Sequence, residues 1–234
     1  MKCCILGLGV FGRNLALNLA QLGAEVLGID PREENISLIK DEIDSVALAD
    51  FSDPAVLENF PIKEMDAVTV AIGDDFEKSI SLTIKAQSMK ARRVVCRVLS
   101  PMHERLLRLL KVDRLVVPEE MAARGLAHSL LMRGVENAYE MGDGYSIVEA
   151  RAPKLKGASL QEQGGIFKKA DVRIVTIKRA ASSLVRKIAN GPDEAVRLAT
   201  LGVPALDEVF REDDVFVLFG REKKVRAFLE EYGK

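Results

Sequence analysis

The sequence predicts an α/β protein: a doubly wound parallel sheet, then a crossover helix, then a small α+β domain. Three observations carry this. Short apolar runs alternate with helical patterns over residues 1–118, as in successive βαβ units. Glycines at 7, 9 and 12 stand where the first run meets the first helix. Past a Gly-Asp-Gly break at 142–144 the alternation gives way to longer strands and a terminal amphipathic helix. The predicted parts are 1–118 for the first domain, 119–143 for the helix and linker, and 144–234 for the second domain.

Taken in order, residues 3–6 form the first strand and 14–22 a helix, with Leu15, Leu19 and Leu22 at helix spacing. Gly23 ends that helix. Residues 25–29 are the second strand, and Pro31 opens a helix with Glu33 and Glu34 in its first turn. Residues 45–49 are a short third strand. Asp53 caps a helix that begins at Pro54. The fourth strand, 68–72, is apolar except for Thr69, as in a strand buried on both faces. A helix to about residue 89, a fifth strand at 94–99, a helix from Ser100-Pro101 to 112 and a sixth strand at 115–117 complete the domain.

Residues 119–141 read as one long helix with a wide apolar face, Ala127, Leu130, Leu131, Gly134, Val135, Ala138 and Met141. A face that wide suits packing on a partner subunit. Gly142-Asp143-Gly144 then marks the domain boundary. In the second domain, 145–150, 172–179, 184–188 and 215–219 read as strands, with 184–188 pairing with 172–179. Residues 159–163 read as a short helix ended by Gly164-Gly165. Residues 222–232 form an amphipathic helix with Val225, Phe228, Leu229 and Tyr232 on one face. Asp213-Asp214 read as a turn before the last strand.

Composition excludes several classes. Of 234 residues, 48% are apolar and 29% charged, which fits a soluble globular protein. Net charge is −1, so no nucleic-acid partner is expected. No apolar run approaches the roughly 20 residues that span a bilayer, and glycines break the N-terminal run too early for a signal peptide. Cys3, Cys4 and Cys96 fit neither a zinc site nor a disulfide framework and read as small core residues. The sequon at Asn35-Ile36-Ser37 has no secretory route and reads as idle.

The glycines carry the chemistry. Gly7 allows a tight strand-to-helix turn, Gly9 the close approach of backbone to a pyrophosphate, and Gly12 the packing of helix on strand. The helix N-terminus then offers free N–H groups to an anion. Asp30 ends the second strand eighteen positions after Gly12, where a carboxylate takes the ribose hydroxyls of an adenosine. This is a Rossmann-type pattern. Ligands on such sheets bind beyond the carboxyl ends of the strands. The candidate site is therefore five segments: 7–12, 30–32, 50–52, 72–75 and 97–100.

The equipment for catalysis is harder to find. Hydride chemistry needs an acid/base group near the substrate. The chain has two histidines, His103 at a helix start and His128 in the long helix; either is a candidate catalytic group, though a helix-surface or core histidine is the commoner case. Tyr139, Tyr145 and Tyr232 do not form the Tyr-x-x-x-Lys pair of small reductases. No nucleophile elbow and no metal-spaced His/Cys cluster occurs. A nucleotide site without catalytic groups suggests a sensor. The alternative is a small NAD(P)-dependent oxidoreductase, for which Arg32 argues toward NADP and Asp30 against it.

The chain also resembles the RCK regulatory subunits of bacterial potassium transporters, the TrkA/KtrA family (KTN, or TrkA-N, plus TrkA-C). The segments that carry the resemblance are Ile5-Leu6-Gly7-Leu8-Gly9-Val10-Phe11-Gly12, Val26-Leu27-Gly28-Ile29-Asp30, Ala49-Asp50-Phe51-Ser52-Asp53, Val70-Ala71-Ile72-Gly73, Val116-Val117-Pro118-Glu119 and Tyr145-Ser146-Ile147-Val148-Glu149. What the resemblance implies is a cytoplasmic regulator, not an enzyme, peripheral to the inner face of the membrane. It forms a homodimer that assembles into a tetramer of dimers, an octameric ring, beneath a potassium-translocating subunit of the TrkH/KtrB type. An adenine nucleotide (NAD or NADH, ADP, or ATP) binds the first domain and changes the ring. Matching positions place Gly7, Gly9, Val10, Phe11 and Gly12 at the phosphates, with Arg97 nearby. Asp30, Pro31 and Arg32 fall at the ribose, Asp50, Phe51 and Ser52 near the adenine, and Ala71, Ile72 and Gly73 along the rim. Glu119 matches a carboxylate that in some members holds a divalent cation (Mg or Ca). Two positions depart from the pattern. Val10 stands where ATP-responsive members carry an arginine. The stretch Gly164-Gly165-Ile166-Phe167-Lys168-Lys169 lacks the Asn and Arg of cyclic-di-AMP-binding members.

Overall fold

A computed structural model describes residues 1–131, 134–180 and 198–233. The chain divides into two compact units, Met1–Glu119 and Glu120–Lys234.

The first unit is a six-stranded, all-parallel sheet. In chain order its strands are β1 (Lys2–Leu6), β2 (Glu25–Asp30), β3 (Ser45–Leu48), β4 (Ala67–Val70), β5 (Val94–Arg97) and β6 (Arg114–Val116). They lie in the order β3-β2-β1-β4-β5-β6. The order reverses at β1, which has β2 on one side and β4 on the other. Such a reversal opens a crevice at the carboxyl end of the sheet. The strands are short and apolar because both faces are covered. β1 shows the alternation directly: Cys4 and Leu6 enter one core cluster, Ile5 the other. All three cysteines are buried and free.

Four helices flank the sheet: α1 (Val10–Gln21), α2 (Glu33–Ser37), α3 (Phe76–Ser88) and α4 (Pro101–Leu109). Asp75 and Ser100 cap α3 and α4 with their side-chain oxygens. The helix expected from Pro54 is a six-residue 3₁₀ segment, Pro54–Asn59, capped by Asp53 as read. The helix α5 (Pro118–Leu131) leads the chain into the second unit.

The second unit is a five-stranded antiparallel sheet of β7 (Val135–Gly142), β8 (Tyr145–Arg151), β9 (Val172–Ala180), β10 (Leu198–Thr200) and β11 (Val215–Arg221). The order is β10-β9-β11-β8-β7. Helices α6 (Leu160–Ala170) and α7 (Glu222–Tyr232) cover its core. Phe167, Phe210, Phe216 and Phe228 fill that core, with Phe210 and Phe216 edge to face at 5.0 Å.

Three sequence expectations are corrected here. The long helix does not reach 141, because residues 135–142 are strand β7. Val135 and Ala138 are three apart, which reads as a helix face. In β7 both are buried because the register shifts between Val135 and Asn137. A bulge adds one residue and so brings an odd spacing to one face. The break at 142–144 is not a domain boundary but the β7–β8 hairpin, closed by Asp143 (φ 53°) and Gly144 (φ 76°). Positive φ at both central residues is what a two-residue type I′ turn requires. The helix at 159 is not ended by Gly164-Gly165 but runs to Ala170. A capping box between Ser159 and Glu162 starts it and Phe167 anchors it in the core. Those terms outweigh about 1 kcal/mol for each interior glycine. The strand expected at 184–188 lies outside the described residues.

Candidate functional site

The glycine turn is built as its spacing requires. Gly7 has φ 96° and its N–H donates to Ile29 O at 2.8 Å, joining β1 to β2. Gly12 packs directly on that turn: a Cβ there would fall 1.8 Å from Gly7 O. Gly9 is the N-cap of α1, in extended backbone, with nothing within 4 Å of the place a Cβ would occupy. No side chain caps α1 and no acid lies in its first turn. Its first N–H groups therefore have no intrahelical acceptor and no side chain to satisfy them, and the positive end of its dipole is unanswered. Val10, 74% exposed, borders this opening.

Asp30 is 1% exposed. One oxygen accepts from Leu8 N–H at 2.7 Å. The other accepts from Arg32 N–H at 2.8 Å and from Asn35 Nδ2 at 2.9 Å. Read from sequence as a ribose partner, it is in this structure the tie that holds the glycine turn to the end of β2. A carboxylate oxygen has two lone pairs, so the oxygen facing Leu8 keeps one acceptor site. Pro31 and Arg32 beside it are exposed.

The next strand end is closed on itself. Asp50 accepts from Ser52 N–H at 2.9 Å and Oγ at 2.8 Å. These bonds hold its carboxyl below the usual range. Phe51, expected among the cofactor-binding residues, is buried in the core instead, so its ring is not part of the rim. Ala71 and Ile72 are buried as well and pack against the turn: Ile72 N and Cγ1 lie 3.3 and 3.4 Å from a Cβ placed on Gly7, and Ala71 Cβ lies 3.1 Å from one placed on Gly12.

Arg97 draws the remaining candidates together. Its guanidinium lies 5.9 Å from the centre of the Phe11 ring and packs on Gly73. It pairs with Glu119, the second residue of α5. The Glu119 carboxyl is held low, first by its own backbone N–H and then by Arg97. The residue expected to hold a cation is thus engaged by a guanidinium. Among the described residues no three His, Cys, Asp or Glu side chains gather to hold a metal ion.

His103 is fully buried. Its Nδ1 accepts from Leu99 N–H at 3.1 Å, and its ring lies 5.1 Å from Phe76. Burial holds its pKa below the ordinary value. The side chain of His128 lies outside the described residues.

Sequence reasoning missed two polar clusters in the second unit. Arg179 donates to both oxygens of Asp214, at 2.7 and 2.8 Å, and to Glu208 at 2.6 Å. Asp214, read as a turn residue, is buried. Glu149 accepts from Lys178 at 2.6 Å and Asn137 at 3.0 Å. The signal available was a charged pair, Lys178-Arg179, inside a predicted strand: such charges stay in a sheet only where partners meet them.

A parallel sheet reversing at β1, a glycine turn at that reversal and an uncapped helix behind it define a Rossmann-like nucleotide-binding class of fold. Residues 3–118 match the TrkA-N domain, so the first unit is a TrkA-N domain. Over nearly its whole length it is similar to Ktr system potassium uptake protein C of Bacillus subtilis (strain 168). The two are 26% identical over 225 residues, 96% of this chain and 94% of that protein. Ktr system potassium uptake protein A of the same organism is 25% identical over 228 residues, 97% and 95% of the two chains. Among solved structures the chain is similar to the GsuK channel bound to NAD, with TM-score 0.59 at 17% identity. It is also similar to the GsuK RCK domain, with TM-score 0.61 at 16% identity. All of this chain is covered in both, but it spans 39% and 48% of those chains. At that identity the likeness is one of fold. No helix among the described residues is long and apolar enough to cross a membrane.

Proposed function

We propose that this chain is a regulatory subunit of a potassium uptake system, not an enzyme, and that it binds an adenine nucleotide at the carboxyl edge of its parallel sheet. The observation that carries the reading is the open approach to Gly9 in front of an uncapped α1. A pyrophosphate at that place accepts N–H bonds that nothing else in the unit takes. The Ktr relatives supply the transport context, and the NAD bound to one fold neighbour, the GsuK channel, supports the ligand class. Val10 brings no cation to a terminal phosphate, so NAD(H) and ADP fit the turn better than ATP. In this reading the chain is cytoplasmic and sits against a membrane potassium-translocating subunit as a ring of copies. Nucleotide binding acts by favouring one ring shape over another, and only a ligand with different affinity for the two can do so.

The test is calorimetric titration of the full chain with NAD, NADH, ADP and ATP, beside Asp30→Ala. Loss of the Asp30 tie frees Leu8 N–H and loosens the turn. Affinity for the preferred nucleotide is expected to fall at least about tenfold. Unchanged affinity for every one of the four would remove Asp30 from the site. Potassium uptake in cells with and without the chain tests the transport role.

A further inference from the structure

Arg97 is held in an unusual way for a cation at the edge of a site. Its side chain is 21% exposed, whereas the Glu119 side chain that pairs with it is 62% exposed. It lies over Phe11, one residue past the helix start at Val10, and against Gly73, where a Cβ would fall 2.4 Å from Nη1. Its Nε is buried and has no hydrogen-bond partner. So a largely buried guanidinium is wedged between the ends of β1, β4 and β5, with one donor unused. Among the described residues its one ion-pair partner is a solvated carboxylate.

An exposed ion pair is worth little, and guanidinium binds phosphate in the same planar, two-pronged way that it binds carboxylate. The partner is therefore easily exchanged for an anion that arrives at the rim. We propose that Glu119 competes with the ligand's phosphate for Arg97. In the empty site Glu119 holds the guanidinium, and a phosphate at the glycine turn takes it. This rests on the nucleotide reading above. The exchange makes the site sensitive to ligand charge, because a ligand without phosphate has nothing to offer Arg97. It also places the response at the first turn of α5, where Glu119 is released. That turn opens the helix by which the chain enters its second unit. A carboxylate at a helix N-terminus stays favourable when unpaired, so the release is not opposed by the helix.

A double-mutant cycle read by calorimetry tests this on the full chain, with NAD, ADP and adenosine as ligands. Glu119→Gln keeps the shape of an exposed side chain and removes the competing charge. It is expected to tighten ADP and NAD about three- to tenfold and to leave adenosine unchanged. Arg97→Gln is expected to weaken ADP and NAD about tenfold. In the Arg97→Gln background, Glu119→Gln is expected to have no further effect, since nothing remains to compete for. Equal tightening by Glu119→Gln in both backgrounds would overturn the exchange, because it would show plain removal of a like charge. So would weakened or unchanged ADP affinity in Glu119→Gln alone. If wild-type chain binds none of these ligands, the nucleotide reading itself falls. Circular dichroism of each variant separates loss of binding from loss of fold.

Discussion

The two units bury polar groups to different ends. In the second, buried charges answer one another: Arg179 meets Asp214 and Glu208, and Glu149 meets Lys178 and Asn137. Among the described residues there, the buried polar atoms left without partners are two hydroxyls, Ser146 Oγ and Thr176 Oγ1. In the first unit the unanswered groups are nitrogen donors that follow strand ends of the parallel sheet: the N–H groups at the start of α1, Arg97 Nε and His103 Nε2. Buried polar groups are nearly always paired. On the reading proposed above, the set left open at the switch point of the parallel sheet serves binding, and the set closed on itself serves structure. The difference says where to look for ligand and where to look for stability.

The comparison can be broken from either side. The largest effect is expected from Gly12→Ala, whose Cβ would overlap Gly7 O. Helix and turn cannot both stay in place, and the first unit should lose about 3 kcal/mol or more. Chemical denaturation reads this, and a loss under about 1 kcal/mol would show that α1 can shift away. Next is Asp214→Ala, which leaves Arg179 with Glu208 and the Val209 carbonyl. Removing one partner of a buried pair is expected to destabilise the second unit by about 3 kcal/mol. Nucleotide affinity should not change. If affinity falls with it, the closed cluster is not merely structural.

A smaller effect concerns pH. Burial lowers the His103 pKa in the folded chain, so the unfolded chain binds the proton more readily. The stability contributed by the neutral ring is present above the ordinary histidine value and is lost as pH falls from there toward the depressed one. Protonation would also put a hydrogen on Nδ1, which accepts from Leu99. A fall in Tm of about 2–4 °C between pH 7 and pH 5 is expected, and His103→Gln should flatten it. An equal slope in the variant would assign the effect to other groups.

How far the sequence reveals this differs between the units for a physical reason. In the first, each strand is short, apolar and bounded by a turn residue, so the βαβ pattern is strong and all six strands are found. The turn at Gly7, Gly9 and Gly12 is legible because each glycine answers a separate steric demand. In the second, β7 hides behind a bulge that gives Val135 and Ala138 a helical spacing. Asp143-Gly144 is a plain hairpin signal, but beside Gly142 it reads as a break. Partners distant in sequence are not legible at all: Arg179 and Asp214 are 35 residues apart. The same holds for Arg97 and Glu119, each expected at the rim but not as a pair. Phe51 shows the reverse error, since its place next to a strand end suggests the site while its side chain serves the core.

Gly9 offers the most direct measurement, because there alone the turn separates fold from binding. Its backbone is extended and nothing stands within 4 Å of a Cβ, so Gly9→Val should melt at the wild-type temperature. If the open space in front of α1 is where the pyrophosphate lies, the added isopropyl group fills it. Calorimetric titration of NAD and ADP into both chains should then show saturable binding to the wild type and at least about tenfold weaker binding to Gly9→Val. Equal affinity in the two chains, at equal thermal stability, would contradict a nucleotide site at this turn.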